Sequence, residues 1–174
     1  VTLPEVQWLI VPRHPNRFDE VARLLQDAGL RVARRSAWQG DVPVAADVWL
    51  GDSMGEMAAY YTLADVVLLG GSFAPLGGQN LIEAAACGCP VVVGPHTFNF
   101  AEATELACEA GAAWRTPGLP AAADKALALV QHPHDLEKAR AAATAFAQAH
   151  RGAARATARQ VADLLGVAAS SAKD

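Results

Sequence analysis

The residues best suited to chemistry lie in a glycine-rich stretch, GGSFAPLGGQNLIE, at positions 70–83. An apolar run ends just before it, and a helical pattern begins near Asn80. Glycines between a strand and a helix permit positive φ angles and let backbone amides approach a ligand closely. A helix amino terminus adds unpaired N–H groups that favour a phosphate. The stretch is neither a GxGxxG fingerprint nor a Walker loop, so by itself it fits either a phosphate site or a turn.

Asn80 and Glu83 have two interpretations. The N-x-x-E pattern is typical of a capping box that starts a helix. However, the two Gly-Gly pairs exceed what one turn needs, and Ser72 could add a hydrogen bond to a phosphate. A phosphate repels a nearby carboxylate. Glu83 therefore fits a phosphate site only if it accepts hydrogen bonds from a neutral diol, such as a ribose, that lies one sugar length from the phosphate. We therefore favour Glu83 as a ribose ligand over Glu83 as a helix cap.

Two other loops follow predicted strands. Arg13 and His14 lie between prolines directly after an apolar run, where the guanidinium fork would suit a carboxylate or phosphate. The structural alternative is an exposed arginine in a turn. In GDSMGEM, residues 51–57, Asp52 or Ser53 would cap a helix whose first turn contains Glu56. Ordinary helix-start chemistry explains that segment when it is considered alone.

A fourth loop, GPHTFNF at residues 94–100, carries two aromatic residues and a histidine. These side chains would line a pocket or pack on the sheet edge. No Ser-His-Asp order, paired carboxylates or metal-ligand spacing emerges anywhere in the chain. We therefore expect neither a metal nor another cofactor.

Short apolar runs alternate with amphipathic segments, which predicts an α/β fold. The predicted strands are residues 8–11, 30–33, 47–50, 65–69 and 90–93, and the predicted helices are residues 19–28, 54–63, 80–87 and 101–110. Right-handed βαβ units imply a Rossmann-like domain of three layers, with a parallel sheet between helices. Ligands of such folds lie at the carboxyl ends of the strands, where all of these loops occur.

The chain after Pro117 is helical in pattern. One apolar stripe comprises Leu136, Ala143, Phe146, His150, Ala154, Val161 and Leu164, with Gly152 dividing the segment into two helices and residues 168–174 frayed. Residues 133–174 would thus form a mainly helical tail. The length of 174 residues predicts a single domain over 1–174.

Composition excludes several classes of protein. Hydrophobic residues make up 52% of the chain and the net charge is −4, which argues against disorder and against a nucleic-acid surface. No run is long enough to span a bilayer. The three cysteines indicate reduced, buried thiols of a cytosolic protein. Because the chain opens on Val1, we expect a fragment of a longer protein.

The motifs VPRHPNRF, GDSMGEM and GGSFAPLGGQNLIEAAACGCPVVVGPHTFNF occur in this order over roughly residues 9–110. Together they resemble the C-terminal half of the 3-deoxy-D-manno-octulosonic acid (Kdo) transferases of lipid A and lipopolysaccharide biosynthesis. The helical tail is similar only in character. Two positions depart from the family pattern: Gln79 stands where His is usual, and Leu81-Ile82 stands where Pro-Leu is more usual.

The resemblance also implies which residues meet the donor, CMP-Kdo. The expected CMP contacts are Pro12, Arg13, Met54, Gly55, Glu56, Asn80, Leu81, Ile82 and Glu83, with Gly71, Ser72, Gly77 and Gly78 shaping a phosphate cradle. Glu83 would hold the ribose hydroxyls. Arg13, with His14, would meet either the phosphate or the sugar carboxylate.

The implied protein is an inverting glycosyltransferase of the GT-B type. Its N-terminal domain, expected to be absent here, would bind the lipid A precursor (lipid IVA) and supply the general base. This chain would then contain no catalytic residue, and the isolated fragment would be inactive and soluble. The full-length enzyme would work, without a metal, at the cytoplasmic face of the bacterial inner membrane.

Other functions remain open from the residues alone. One is half of a different GT-B enzyme that uses a UDP-sugar, as a transferase or an epimerase. Another is a nucleotide-binding module without catalysis, and a third is a flavodoxin-like interaction domain whose glycine loop binds nothing. The number of Kdo units transferred and the oligomeric state are not encoded in these motifs.

Overall fold

The computed structural model describes residues 6–40 and 45–150. The chain divides into two compact units, one ending at Tyr60 and the other beginning at Tyr61. The single domain expected over 1–174 stays a prediction. The predicted break at Gly152, the later members of the apolar stripe (Ala154, Val161 and Leu164) and the frayed residues 168–174 lie outside the described residues.

The first unit contains a parallel sheet of three strands, β1 (Trp8–Ile10), β2 (Val32–Arg34) and β3 (Val48–Leu50), in the order β1-β3-β2. Helix α1 (Phe18–Asp27) follows a short 3-10 turn, Pro15–Arg17. Gly29 follows α1 with a φ of 81°, the left-handed conformation that glycine commonly adopts at a helix end. In register, Ile10 of β1 and Arg34 of β2 both lie opposite Leu50 of β3.

The second unit contains another parallel sheet of three strands, β4 (Val67–Leu68), β5 (Val91–Val93) and β6 (Ala113–Arg115), in the order β4-β5-β6. Its helices are α3 (Leu81–Ala86), α4 (Ala101–Glu109), α5 (Leu119–Gln131) and α6 (Pro133–His150), and Phe98–Phe100 is a 3-10 turn. Helix α2 (Met57–Leu63) spans the division between the units. The α/β class and the parallel pairing are therefore confirmed in each unit.

Strand β6 was not predicted. Its three residues, Ala113 to Arg115, include only one large apolar side chain, so no apolar run marks them. The available signal was position, because they follow the helix-ending Gly111, whose φ is 72°. In the structure β6 pairs with β5, and Val93 lies opposite Arg115.

The core of the second unit is built on β5, whose three valines are fully buried. Helix α3 packs against α6, and both helices carry buried side chains: Ala84 and Ala85 in α3, and Ala143 and Phe146 in α6. The described part of the predicted tail is thus a structural support of the helix that carries the Asn80–Glu83 motif.

The cysteines are free thiols, as expected. Only Cys89 is fully buried, and burial raises the pKa of its thiol to about 12. Cys87 and Cys108 are half-buried, so the prediction that all three are buried is wrong for these two.

The substitution Ala143→Leu tests the packing of α6. Ala143 is completely buried, so three added carbons must overpack the contact with α3. We expect the free energy of unfolding to fall by about 1–3 kcal/mol in urea titrations. Ala141→Leu, on an exposed position of the same helix, is the control and should change it by less than about 0.5 kcal/mol. Equal effects of the two substitutions would contradict the packing.

Candidate functional site

Two of the predicted loops share one edge of the first sheet. Residues 12–14 follow β1 and residues 51–56 follow β3, and these strands are paired in parallel. The amide of Gly51 donates to the carbonyl of Ile10 at 2.8 Å, and a Cβ at Gly51 would lie 2.9 Å from Val11 Cγ2. The structure therefore places the beginnings of these two loops side by side at the carboxyl edge of the sheet, as the carboxyl-end rule predicts.

Arg13 and His14 are exposed at this edge. Within residues 6–40 and 45–150, Arg13 forms no ion pair. In that part of the chain its guanidinium has no carboxylate partner, in contrast to Arg34 and Arg35 at the end of β2, which are both paired. Pro12 is half-buried.

The start of α2 differs from the prediction. The helix begins at Met57 rather than Met54, because Gly55 has a φ of 79°, which a helix cannot contain. The carbonyl of Glu56 accepts from the amide of Tyr60 at 3.1 Å, so Glu56 occupies the N-cap position of α2. The prediction that Asp52 or Ser53 caps this helix is therefore wrong. Met54 is 71% exposed on the resulting loop.

The carboxylate of Glu56 is already held by three side chains. It accepts from Arg35 at 2.8 Å, from Tyr60 at 3.1 Å and from the hydroxyl of Ser53. The Ser53 hydrogen bond is the main reason that the pKa of Glu56 lies below its ordinary value, with Tyr60 and Arg35 adding to it against partial burial. Any nucleotide that meets Glu56 must share its oxygens with these donors.

Asp52 is a structural residue that the sequence analysis considered only as a helix cap. It is buried, and its carboxylate accepts from Arg34 Nε at 2.6 Å and from the amide and hydroxyl of Ser36 at 2.8 and 2.6 Å. These bonds join the carboxyl ends of strands β2 and β3. Burial raises the pKa of Asp52, but the hydrogen bonds from Ser36 and Arg34 outweigh it, and the pKa is lower than usual.

In the second unit, the glycine-rich loop has the predicted backbone. Gly71, Gly77 and Gly78 have φ angles of 75°, 84° and 79°, which favour glycine. Gly77 and Gly78 are buried, however, and the amide of Gly78 donates to the carbonyl of Gly71 at 3.1 Å. The expectation that the surplus glycines expose their amides is therefore wrong for Gly78, because its N–H closes the loop on itself.

Two roles were expected of Ser72, a hydrogen bond to a phosphate and a part in shaping the loop. Its side chain is completely buried, and its hydroxyl donates to the carbonyl of Leu69 at 2.5 Å and accepts from the amide of Gly94 at 2.8 Å. The hydroxyl proton is thus used inside the protein rather than directed at a phosphate. The position of Ser72 fits the second role, in which it shapes the loop.

The helix-cap interpretation of Asn80 holds. Asn80 Oδ1 accepts from the amide of Ile82 at 3.1 Å, and its Nδ2 donates to Glu83 Oε1 at 3.0 Å. Leu81 is 1% exposed, so its side chain belongs to the core and its expected contact with CMP is wrong for the side chain. Ile82 is half-buried, whereas Glu83 is exposed and can accept further hydrogen bonds.

The loop at residues 94–100 packs on the glycine-rich loop. The amide of His96 donates to the carbonyl of Ser72 at 2.9 Å, and the amide of Asn99 donates to the carbonyl of Gly77 at 3.1 Å. Phe98 is 64% exposed. The loop thus packs on the glycine-rich loop through its backbone, while the Phe98 ring is left largely exposed.

Within residues 6–40 and 45–150, no three His, Cys, Asp or Glu side chains are grouped as metal ligands. In that same part of the chain, none of the helices combines the length and apolar character that crossing a membrane requires.

The substitution Gly94→Ala tests the close approach of the two loops in the second unit. A Cβ at Gly94 would lie 2.4 Å from the carbonyl oxygen of Ser72, a backbone atom that cannot rotate away. We expect a loss of about 1–3 kcal/mol in the free energy of unfolding. Gly70→Ala is the matched control, because its Cβ would approach only Gln79 Nε2, at 4.0 Å, and it should change the free energy of unfolding by less than about 0.5 kcal/mol. Equal losses in urea titrations would contradict the close approach.

The substitution Asp52→Asn tests the carboxylate that joins β2 and β3. Because the pKa of Asp52 is lower in the folded state than in the unfolded state, its ionised form stabilises the fold. The full contribution is present at pH values above the unfolded pKa, and it is lost as the pH falls through the folded pKa. We expect the variant to lose about 1–3 kcal/mol at pH 7 and the difference from wild type to shrink below about pH 4. Asp27→Asn, on an exposed carboxylate, is the control in chemical denaturation between pH 3 and pH 7. A difference that does not depend on pH would contradict the role of the charge.

Curated relatives carry one name. The chain is 54% identical over 163 residues to a 3-deoxy-D-manno-octulosonic acid transferase from Bordetella pertussis, which covers 94% of this chain and 38% of the relative. It is 42% identical over 107 residues to the transferase of the same name from Haemophilus influenzae, covering 61% of this chain and 25% of the relative. The chain thus spans well under half the length of these relatives. A scan against protein-family models finds no match.

A solved structure is also similar. The C-terminal CMP-Kdo binding domain of WaaA from Acinetobacter baumannii is 36% identical and superposes with a TM-score of 0.75, over 80% of this chain and 72% of that one. The likeness covers most of both chains in sequence and in fold. The two Gly-Gly pairs, the cap formed by Asn80 and Glu83 and the parallel strands agree with this likeness. The chain therefore belongs to the 3-deoxy-D-manno-octulosonic acid transferase family.

Proposed function

We propose that this chain is the donor-binding part of a Kdo transferase, and that it binds CMP-Kdo through its cytidine monophosphate group. The observation that carries the proposal is the likeness to a solved CMP-Kdo binding domain. Membership of the transferase family and the exposed polar groups at the carboxyl ends of the strands support it.

Arg13 is the cation that we assign to the donor. It follows β1, is exposed, and forms no ion pair within the described residues 6–40 and 45–150. CMP-Kdo carries two anionic groups, a phosphate diester and the sugar carboxylate, and the planar guanidinium matches either one bidentately. His14, exposed beside it, is the second candidate for the same anion.

Glu83 is the group that we assign to the ribose. Its carboxylate is exposed and receives one hydrogen bond, from Asn80, among the described side chains. Each carboxylate oxygen has two acceptor positions, so a vicinal diol can donate to the remaining ones. Glu56 is the alternative acceptor, but Arg35, Ser53 and Tyr60 already occupy much of its capacity.

In the proposed reaction, a hydroxyl of the lipid A precursor attacks the anomeric carbon of Kdo. The bond from that carbon to the phosphate oxygen breaks, CMP leaves with the electron pair, and the configuration inverts. This chain holds the cytidine monophosphate and faces the charge that grows on its phosphate. The general base belongs to another part of the full-length protein, so we expect no turnover of CMP-Kdo by the 174-residue chain alone. We also propose that no metal ion takes part.

The acceptor and the location extend the same proposal. We assign the lipid A precursor to the part of the transferase that lies outside this chain. An acceptor of that kind lies in a membrane, so the full-length enzyme would act at the cytoplasmic face of the bacterial inner membrane.

The ribose assignment predicts a specific pattern of nucleotide affinities. We expect the chain to bind CMP about tenfold more tightly than 2′-deoxy-CMP, because one hydrogen bond to a charged carboxylate is lost. Glu83→Ala should bring the two affinities to within about twofold of each other. Titrations followed by NMR, with and without EDTA, measure both, and we expect no effect of EDTA.

Glu102→Ala is the matched control, since Glu102 also lies in the first turn of a helix and is exposed. It should keep the preference for CMP. A preference for UMP or UDP over CMP would instead indicate a UDP-sugar enzyme. If Glu83→Ala kept the full discrimination against 2′-deoxy-CMP, the ribose assignment would be wrong.

A further inference from the structure

The loop that follows β5 holds the glycine-rich loop from one side. Its residues 94–100 make four hydrogen bonds from backbone or side-chain nitrogen to residues 72–77, all between 2.8 and 3.1 Å. Two of them involve Ser72, and the other two come from Asn99. The Ser72 bonds fix the beginning of the glycine-rich loop, whereas Asn99 acts on its second Gly-Gly pair.

Asn99 binds two successive carbonyl groups. Its backbone amide donates to Gly77 at 3.1 Å, and its side-chain Nδ2 donates to Leu76 at 3.1 Å. The side chain also lies directly on Gly77, where a Cβ would approach Nδ2 to 2.3 Å. Because both carbonyls belong to the turn before Gly78, their positions set the conformation of the Gly77–Gly78 pair.

The loop that carries Asn99 is itself anchored from β6. Arg115 donates to the hydroxyl of the buried Thr97 at 2.8 Å and to Glu105 of α4 at 2.5 Å. Thr97 lies against the second glycine pair, with its Cα 3.6 Å from the position of a Cβ on Gly78. Asn99 therefore extends from a restrained loop, although it is itself exposed.

We propose that Asn99 is a positioning residue for the donor phosphate, acting through the carbonyls of Leu76 and Gly77 on the glycine-rich loop. The inference rests on the proposed function and adds to it that the glycine-rich loop, residues 70–78, lies against the phosphate of CMP-Kdo. Asn99 touches neither the nucleotide nor the reacting atoms in this role. It fixes the loop before the donor arrives, so that no binding energy is spent on ordering it.

The test compares CMP with cytidine, which lacks the phosphate. If Asn99 acts through the phosphate loop, Asn99→Ala should weaken CMP binding by about fivefold, the effect of one hydrogen bond, and leave cytidine binding unchanged. Asn99→Asp has the same shape but cannot donate to Leu76, and it should weaken CMP binding at least as much. NMR titration of the 174-residue chain measures both ligands, and thermal unfolding measures the fold.

Gln148→Ala, on an exposed position of α6, is the control and should leave both affinities unchanged. Since Asn99 is exposed, we expect the melting temperature of its variants to stay within about 2 °C of wild type. If the Asn99 variants lost CMP and cytidine binding equally, or lost neither, the positioning role would be wrong. In that case, a wild-type chain that binds CMP more tightly than cytidine would still uphold the proposed function. A wild-type chain that bound CMP no better than cytidine would overturn both.

Discussion

The hydroxyl of Ser72 is the contact on which the carboxyl edge of the second sheet depends. It is completely buried, donates to Leu69 at the end of β4 and accepts from Gly94 directly after β5. The two chains approach so closely that a Cβ on Gly94 would lie 2.4 Å from the carbonyl oxygen of Ser72. With these loops joined, Gly71, Gly77 and Gly78 can close the intervening segment on itself, which places Asn80 at the start of α3.

A buried carboxylate has the corresponding role in the first unit. Asp52 follows β3 and binds Arg34 and Ser36, which follow or end β2. Next to it, Arg35 binds Glu56. Removing a charge from such a cluster leaves its partners unsatisfied, which costs more than the bonds themselves contribute. This cluster of Arg34, Ser36 and Asp52 therefore orders the carboxyl edge of the first sheet. Arg13 follows β1 at the same edge and forms no ion pair with any described residue.

These arrangements let one motif serve both the structure and the proposed ligand. Asn80 caps α3 and orients Glu83, so the capping and ribose interpretations are compatible rather than alternative. Gly77 and Gly78 are needed for their φ angles and for contact with Asn99, Phe98 and His96, before any phosphate is considered. The family likeness supports the role that we propose for this motif, whereas the hydrogen bonds show which of its polar groups already have partners within the described residues.

Much of this follows from the sequence alone. Periodicity and the turn residues determined the strands, the helices and the parallel pairing, because apolar spacing and glycine conformation are local properties. They missed β6, whose three residues carry no apolar run, and placed the start of α2 three residues early by ignoring the φ that Gly55 needs. The three motifs over roughly residues 9–110, taken together, were sufficient to indicate the family.

Only the tertiary structure decided the partners of the polar groups. Ser72 and Gly94 are 22 residues apart, and Arg34 and Asp52 are 18 apart, so each pair meets only because particular strands lie side by side. The order β1-β3-β2 places the ends of β2 and β3 together, and no local pattern encodes that order. For this reason the sequence determined which loops are candidates for the site, whereas the fold determined that Ser72 and Asp52 are buried within the protein and that Arg13 and Glu83 are exposed.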